Sequence, residues 1–201
     1  MHRTTTMLMK RIVIFASGNG TNTQRIIDHF KGCTDTKVVQ ILSNNKQAKV
    51  LDRAKAASIP ALSFNKPELY ETDVILNVVK NAQPDLIVLA GFLWLFPEKI
   101  IKLFPNKVIN VHPALLPQFG GKGMYGMHVH RAVCAFAKAN KEATYSGISI
   151  HYVTPEYDEG ALIFQAKVLV SADETPESLA KKIHQLEHKH FPEVIEQLLD
   201  D

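Results

Sequence analysis

Through the first 112 residues, short continuous apolar runs alternate with amphipathic stretches. The runs are residues 11–16 (RIVIFA), 38–42 (VVQIL), 61–64 (ALSF), 86–90 (LIVLA) and 107–112 (KVINVH). Each has the length of a strand, and the lack of alternation predicts burial on both faces. Between them, Ile26, Ile27 and Phe30 recur at helical spacing before Lys31-Gly32. Residues 47–57 read as a second helix, and Pro67 opens a third that runs to Ala82 with Leu69, Val74, Leu76 and Val79 apolar. A short helix over 97–104 completes the series. Strand following helix in this order predicts an α/β fold: a Rossmann-like, mostly parallel sheet with helices on both faces.

Beyond Pro113 the pattern changes. Residues 113–127 (PALLPQFGGKGMYGM) form a long Pro/Gly loop, and loops of that length in compact domains are usually functional or mobile. A helix over 130–140 leads to SGISIHYV (146–153), in which Ile148, Ile150 and Tyr152 alternate with Ser149 and His151. That alternation predicts a half-exposed strand. AKVLV (166–170) is expected to pair with it as an antiparallel C-terminal addition, and Thr175-Pro176-Glu177 starts a long final helix. Residues 1–9 are read as a disordered or mis-assigned extension, with Met7 or Met9 as alternative starts, and 10–201 as one domain.

Composition narrows the function classes. Among 201 residues, 23 Lys and Arg stand against 20 Asp and Glu, a net charge of +3 with no long run of one sign. Nucleic acid and membrane are therefore not the expected partners, while a local basic site for a small anion stays open. Two cysteines 101 residues apart make neither a disulfide framework nor a zinc motif, which suits a reducing cytoplasm. The longest apolar run, LIVLAGFLWLF, is too short to span a bilayer.

Three local features carry chemistry. SGNGTN (17–22) sits where the first strand turns into the first helix, a place for an anion or simply a glycine turn that lets the helix pack. The third glycine of the dinucleotide fingerprint is replaced by Thr23, and no Gly-Lys-Ser/Thr follows, so a single phosphate fits better than NAD or ATP. In Asn110-Val111-His112-Pro113 the first and third side chains share a strand face, and Pro113 ends the ladder beside them. An amide donor next to an imidazole suits oxyanion stabilisation with proton transfer; equally, the pair could satisfy loop backbone. Asp158, in the acidic loop TPEYDEG, is either solvated surface or the carboxylate that raises the pKa of His112. His184-Gln185-Leu186-Glu187-His188 spells an inverted zinc-protease motif, but the sequence after it leaves no room for the expected third ligand, and no metal is expected.

With SGNGTN, LIVLAGFLWLF, VINVHPALLP and SGISIHYVTPEYDEG together, residues 10–195 resemble the phosphoribosylglycinamide formyltransferases, the folate-dependent formyl-transfer family of purine synthesis. The resemblance implies formyl transfer from 10-formyltetrahydrofolate to the amine of glycinamide ribonucleotide, without metal or ATP. It implies Asn110, His112 and Asp158 as the catalytic set. Gly20, Thr21, Asn22, His184 and Glu187 would meet the ribonucleotide. Leu93, Trp94, Leu95 and Phe96, with Asn110 and the run Thr154, Pro155, Glu156, Tyr157 and Asp158, would line the folate pocket. The sequence departs from the family's pattern at Trp94, where many relatives carry arginine. It departs also at Lys66-Pro67, where a basic folate contact is expected, and at His184, which replaces a glutamine; the loop GGKGMYGMHVH is longer than usual. Three other readings compete. A 10-formyltetrahydrofolate hydrolase would need a regulatory domain ahead of the core, for which ten residues are too few. A methionyl-tRNA formylase would need an RNA-binding domain after Asp201. A phosphate-ligand-binding module without catalysis would not need an oxyanion donor paired with an acid.

Overall fold

The computed structural model describes residues 9–140 and 144–200; the expectation about the N-terminal extension lies outside them, except for Met9. Seven strands form one sheet in the order β3-β2-β1-β4-β5-β6-β7. They are β1 (Lys10–Phe15), β2 (Thr36–Ser43), β3 (Ala61–Ser63), β4 (Leu86–Leu89), β5 (Val108–His112), β6 (Thr144–Tyr152) and β7 (Leu162–Val170). The helices are α1 (Thr21–His29), α2 (Lys49–Ala56), α3 (Lys66–Tyr70), α4 (Val74–Ala82), α5 (Glu98–Leu103), α6 (Met127–Asn140) and α7 (Pro176–Asp200). The first five strands pair in parallel, while β5–β6 and β6–β7 are antiparallel.

The unbroken apolar runs have a direct structural meaning. Ile12 and Ile14 of β1 enter a core shared with Ile26 of α1 and with α6 and α7. Their neighbours Val13 and Phe15 enter a second core with Leu69, Ile75 and Ile100 of α3, α4 and α5. A strand buried on both sides has no polar face to show, so alternation vanishes. The strand order reverses at the β1–β4 boundary, which opens a crevice at the C-terminal ends of these strands. Across it, Ser17 N–H donates to the Gly91 carbonyl at 3.1 Å, and Leu93 N–H donates to Ser17 Oγ at 2.9 Å.

Three expectations change. The segment from Pro67 to Ala82 is two helices, because Thr72 diverts the backbone: its hydroxyl donates to the Glu68 carbonyl and accepts from Val74 N–H. β7 begins at Leu162, four residues before the expected start. Most consequentially, β6 is not half-exposed; every residue from Ser146 to His151 is buried. Ile148 and Ile150 face the helical core, and the 113–121 loop covers the opposite side of the strand. There Ser149 Oγ donates to the Ala114 carbonyl at 2.8 Å and accepts from Leu116 N–H at 2.9 Å. Gln165 Nε2 donates to the same hydroxyl at 2.8 Å and so ties the loop to β7 as well. Among the described residues no helix is long and apolar enough to cross a membrane.

Candidate active site

The crevice widens into a cavity of about 660 Å3 between the Gly20 turn, the end of β5 and the two long loops. At one end the chain leaves β1 and enters α1. Gly20 has φ +67°, and a Cβ there would lie 2.5 Å from Val50 Cγ2, so only glycine fits the turn. The loop's carbonyls are engaged away from the cavity: Val50 N–H donates to Gly18, and Arg53 Nε to Asn19. No side chain caps α1, which leaves the N–H groups of its first turn available to a ligand. Asn22 Nδ2 donates to Glu187 Oε2 of α7 at 2.9 Å, and Asn22 Oδ1 is buried with no partner among the described residues. Glu187 is itself buried. That burial pushes its carboxyl above the ordinary glutamate value, against the pull of Asn22 and His184.

The centre is built on β5. Asn110 and His112 leave the same face of the strand, and the antiparallel register sets His151 of β6 directly opposite Asn110. Asn110 Nδ2 donates to His151 Nε2 at 3.1 Å, while His151 Nδ1 donates to the Tyr152 carbonyl at 2.8 Å. His112 Nε2 donates to the Phe119 carbonyl at 2.8 Å, and its Nδ1 lies 3.4 Å from Asp158 Oδ2. Asp158 stands at φ +57° in its turn, where it also accepts Gly121 N–H at 3.0 Å and comes within 3.6 Å of His151 Nε2. Gly160 is required nearby, since a Cβ there would strike the Tyr152 carbonyl.

The electrostatics of this pair differ from expectation. Burial lowers the His112 pKa; Asp158 and the Phe119 carbonyl raise it, His151 lowers it further, and the net value falls below 6.5. The carboxylate supports the imidazolium as expected, but removal from water outweighs it. Burial opposes ionisation of Asp158 too, yet His151, His112 and the Gly121 N–H prevail and hold its carboxyl below the usual range. With His112 neutral and Asp158 charged, a proton arriving at Nδ1 completes an ion pair.

The far end is aromatic. Trp94 stacks on Tyr70 with ring centroids 6.3 Å apart, meets the edge of Phe64 at 6.2 Å, and has Lys66 Nζ 5.6 Å above its ring. Tyr70 also donates its hydroxyl to the Leu95 carbonyl at 2.9 Å.

The ribonucleotide set expected from sequence, Gly20, Thr21, Asn22, His184 and Glu187, all line the cavity. So do Asn110, His112 and Asp158, and so do Leu93, Trp94, Leu95 and Phe96. Of the 154–158 run, Thr154, Glu156 and Tyr157 line it as well, whereas Pro155 stands just outside the lining. Pro155 has no backbone N–H to offer, and its neighbours form the wall. In the H-x-x-E-H stretch the two imidazoles stack 6.1 Å apart while Glu187 points to Asn22. Among the described residues, no group of three metal-ligating side chains comes together. Sequence reasoning passed over His151 and His130, both buried and both on the cavity wall. The signal for His151 lay in its alternation with Ser149 on a strand next to Asn110.

Known proteins are similar to this chain over most of its length. The family described as formyl transferase matches residues 10–195. A chloroplastic phosphoribosylglycinamide formyltransferase of Arabidopsis thaliana is 38% identical over 92% of this chain, which spans 64% of that protein's length. A phosphoribosylglycinamide formyltransferase of Bacillus subtilis is 36% identical, with 95% of each chain covered. The crystal structure of the Anaplasma phagocytophilum phosphoribosylglycinamide formyltransferase superposes with a TM-score of 0.83 at 32% identity, covering 96% of this chain and 87% of that one. The chain belongs to the formyl transferase family, alongside its phosphoribosylglycinamide formyltransferases.

Proposed function

We propose that the protein transfers the formyl group of 10-formyltetrahydrofolate to the amine of glycinamide ribonucleotide, a step of purine biosynthesis. One observation carries this reading: Asn110, His112 and Asp158 converge midway along a cavity with a phosphate-type turn at one end and an aromatic wall at the other. A ribonucleotide phosphate suits the Gly20–Asn22 turn, and sugar hydroxyls suit the Glu187 carboxyl. The folate suits the wall of Leu93, Trp94, Leu95 and Phe96 with Thr154, Glu156 and Tyr157.

In the proposed reaction the amine nitrogen attacks the formyl carbon, and the carbonyl oxygen takes the negative charge. Asn110 N–H and His112 stabilise that oxyanion, the imidazole taking a proton from solvent at Nδ1 as the charge develops and returning it when the intermediate collapses. The Asp158 carboxylate holds the imidazolium as it forms. Collapse of the intermediate breaks the bond from the formyl carbon to folate N10, and a water passes the proton from the amine nitrogen to N10. The His112 Nε2 hydrogen bond to Phe119 occupies this donor when the cavity is empty, so substrate entry exchanges a backbone carbonyl for the developing oxyanion. Neither a metal nor ATP has a part in these steps. A cytoplasmic enzyme acting on small molecules, and one domain over 10–201, complete the proposal.

The test follows folate deformylation spectrophotometrically with and without glycinamide ribonucleotide. Deformylation only with the ribonucleotide supports the transferase. Loss of formyl without it points to a hydrolase, and no loss in either case overturns the catalytic reading.

A further inference from the structure

Among the described residues that line the cavity, Lys122 is the one lysine or arginine, and it follows Gly121, whose N–H donates to Asp158. At the end formed by Gly18 to Asn22, an anion therefore depends on backbone N–H groups and on which way their peptide planes face. Those planes are set from behind, by α2. Val50 N–H donates to the Gly18 carbonyl at 3.2 Å, and Arg53 Nε donates to the Asn19 carbonyl at 2.7 Å. Gly18 and Asn19 line the cavity whereas Val50 and Arg53 do not, so α2 stands on the far side of the turn. In a trans peptide the C=O and the following N–H point in opposite directions. With both carbonyls turned back to α2, the N–H groups of Asn19 and Gly20 face the cavity, and no backbone carbonyl among the described residues accepts either of them.

We propose that Arg53 is a positioning residue for substrate phosphate: it holds the Asn19–Gly20 peptide with its N–H aimed into the cavity and thereby sets the preference for a phosphorylated acceptor. This rests on the reading that the Gly20–Asn22 turn takes the ribonucleotide phosphate, and it names what orients that turn. The guanidinium is fixed in two directions. Its Nε holds the Asn19 carbonyl while Nη1 donates to Gln24 Oε1 at 3.3 Å, and Gln24 Nε2 in turn donates to Asp28 Oδ1 at 2.9 Å. One side chain of α2 thus joins the turn to α1. A charged donor holds a carbonyl more strongly than a neutral one, and polarising that peptide strengthens its N–H as a donor. Lysine carries the same charge, but its ammonium has no planar fork to match both acceptors. Val50 supplies the other half, because its side chain occupies the space a Cβ on Gly20 would need. Standing behind the turn, Arg53 acts on the phosphate only through the Asn19–Gly20 peptide.

The experiment measures formyl transfer to glycinamide ribonucleotide by the whole protein, with glycinamide riboside, which lacks the phosphate, and inorganic phosphate as competitors for the same site. Wild type is compared with Arg53→Met, which keeps the apolar stem, and with Arg53→Lys. In Arg53→Met, KM for the ribonucleotide is expected to rise about tenfold or more, while kcat and KM for the folate stay within about threefold. Ki for inorganic phosphate weakens by a similar factor, and Ki for the riboside does not move. Arg53→Lys falls between wild type and Arg53→Met. An unchanged KM for the ribonucleotide overturns the inference. So does a loss shared equally by riboside and phosphate, which would make Arg53 a structural residue only. Should Arg53→Met fail to fold, Arg53→Lys decides: a loss of about threefold or more for phosphate and ribonucleotide, with the riboside unmoved, supports the fork, and any smaller or shared loss refutes it. Wild type that neither binds nor formylates the ribonucleotide overturns the functional reading, whereas normal formylation by wild type and by Arg53→Met alike overturns this inference alone.

Discussion

Replacing Asp158 by asparagine isolates charge from shape. Asparagine is among the few residues at ease at the +57° φ of this position, and its amide oxygen can still accept Gly121 N–H. What disappears is a negative charge 3.4 Å from His112 Nδ1. At an effective dielectric of about 20, a unit-charge pair at that distance is worth roughly 5 kcal/mol. Water entering an open cavity takes part of this, leaving about 2–4 kcal/mol, or roughly 30- to 1000-fold in rate. The loss should appear in kcat, since the charge on His112 is used only against the developing oxyanion, and KM for either substrate should change far less. The sign with pH is also set. The carboxylate raises the His112 pKa, so in Asp158→Asn the imidazole stays neutral to lower pH and activity recovers only on acidification. The assay is formyl transfer from pH 5.5 to 8.5, with kcat and KM separated at each value. Turnover within about threefold of wild type across that range would refute the carboxylate's proposed role.

Three further outcomes follow from the same geometry. Burial raises the Glu187 pKa, so its ionisation in the folded protein lowers stability as pH climbs through that value, and the protein is best off below the ordinary glutamate range. Glu187→Gln should therefore raise Tm at pH 7 to 8, by about 2–4 °C for each kcal/mol recovered, while KM for the ribonucleotide rises; a Tm difference that shrinks with increasing pH would contradict this. Ser149→Ala leaves the Leu116 N–H and the Ala114 carbonyl without their partner, a loss of about 1–3 kcal/mol, and limited proteolysis should then cut the 113–126 loop faster. Unchanged Tm and cutting would mean the loop is held elsewhere. Trp94→Ala removes the contacts with Tyr70, Phe64 and Lys66 and should raise KM for the folate about tenfold, with KM for the ribonucleotide unmoved.

The parallel half of the fold was legible because each of its signals is local. A run such as LIVL declares burial on both faces by its composition alone, and Pro113 marks the end of β5 without reference to any other segment. The glycine turn and the Asn110–His112 spacing are local in the same sense. Asp158 was within reach only through the family resemblance, since 46 residues separate it from His112 and nothing in TPEYDEG distinguishes a catalytic carboxylate from a solvated one.

What escaped was the second side of β6, and the reason is physical. Alternation of Ile148, Ile150 and Tyr152 with Ser149 and His151 reports which side chains are polar, and a sheet face next to solvent is only the commonest reason for polarity. Here the polar face is buried: Ser149 anchors the 113–121 loop, and His151 orients Asn110. Both tasks arise from one antiparallel addition. Pairing β6 against β5 sets His151 opposite Asn110 and Ser149 opposite His112, so the register that closes the sheet also furnishes the second row of polar groups behind the candidate pair. A one-residue slip would replace His151 and Ser149 by apolar side chains, leaving Asn110 free to turn and the loop unanchored. Polar residues on a buried strand are thus the cost of holding an amide and an imidazole in fixed orientation, and the periodicity that suggests solvent is the trace of that requirement.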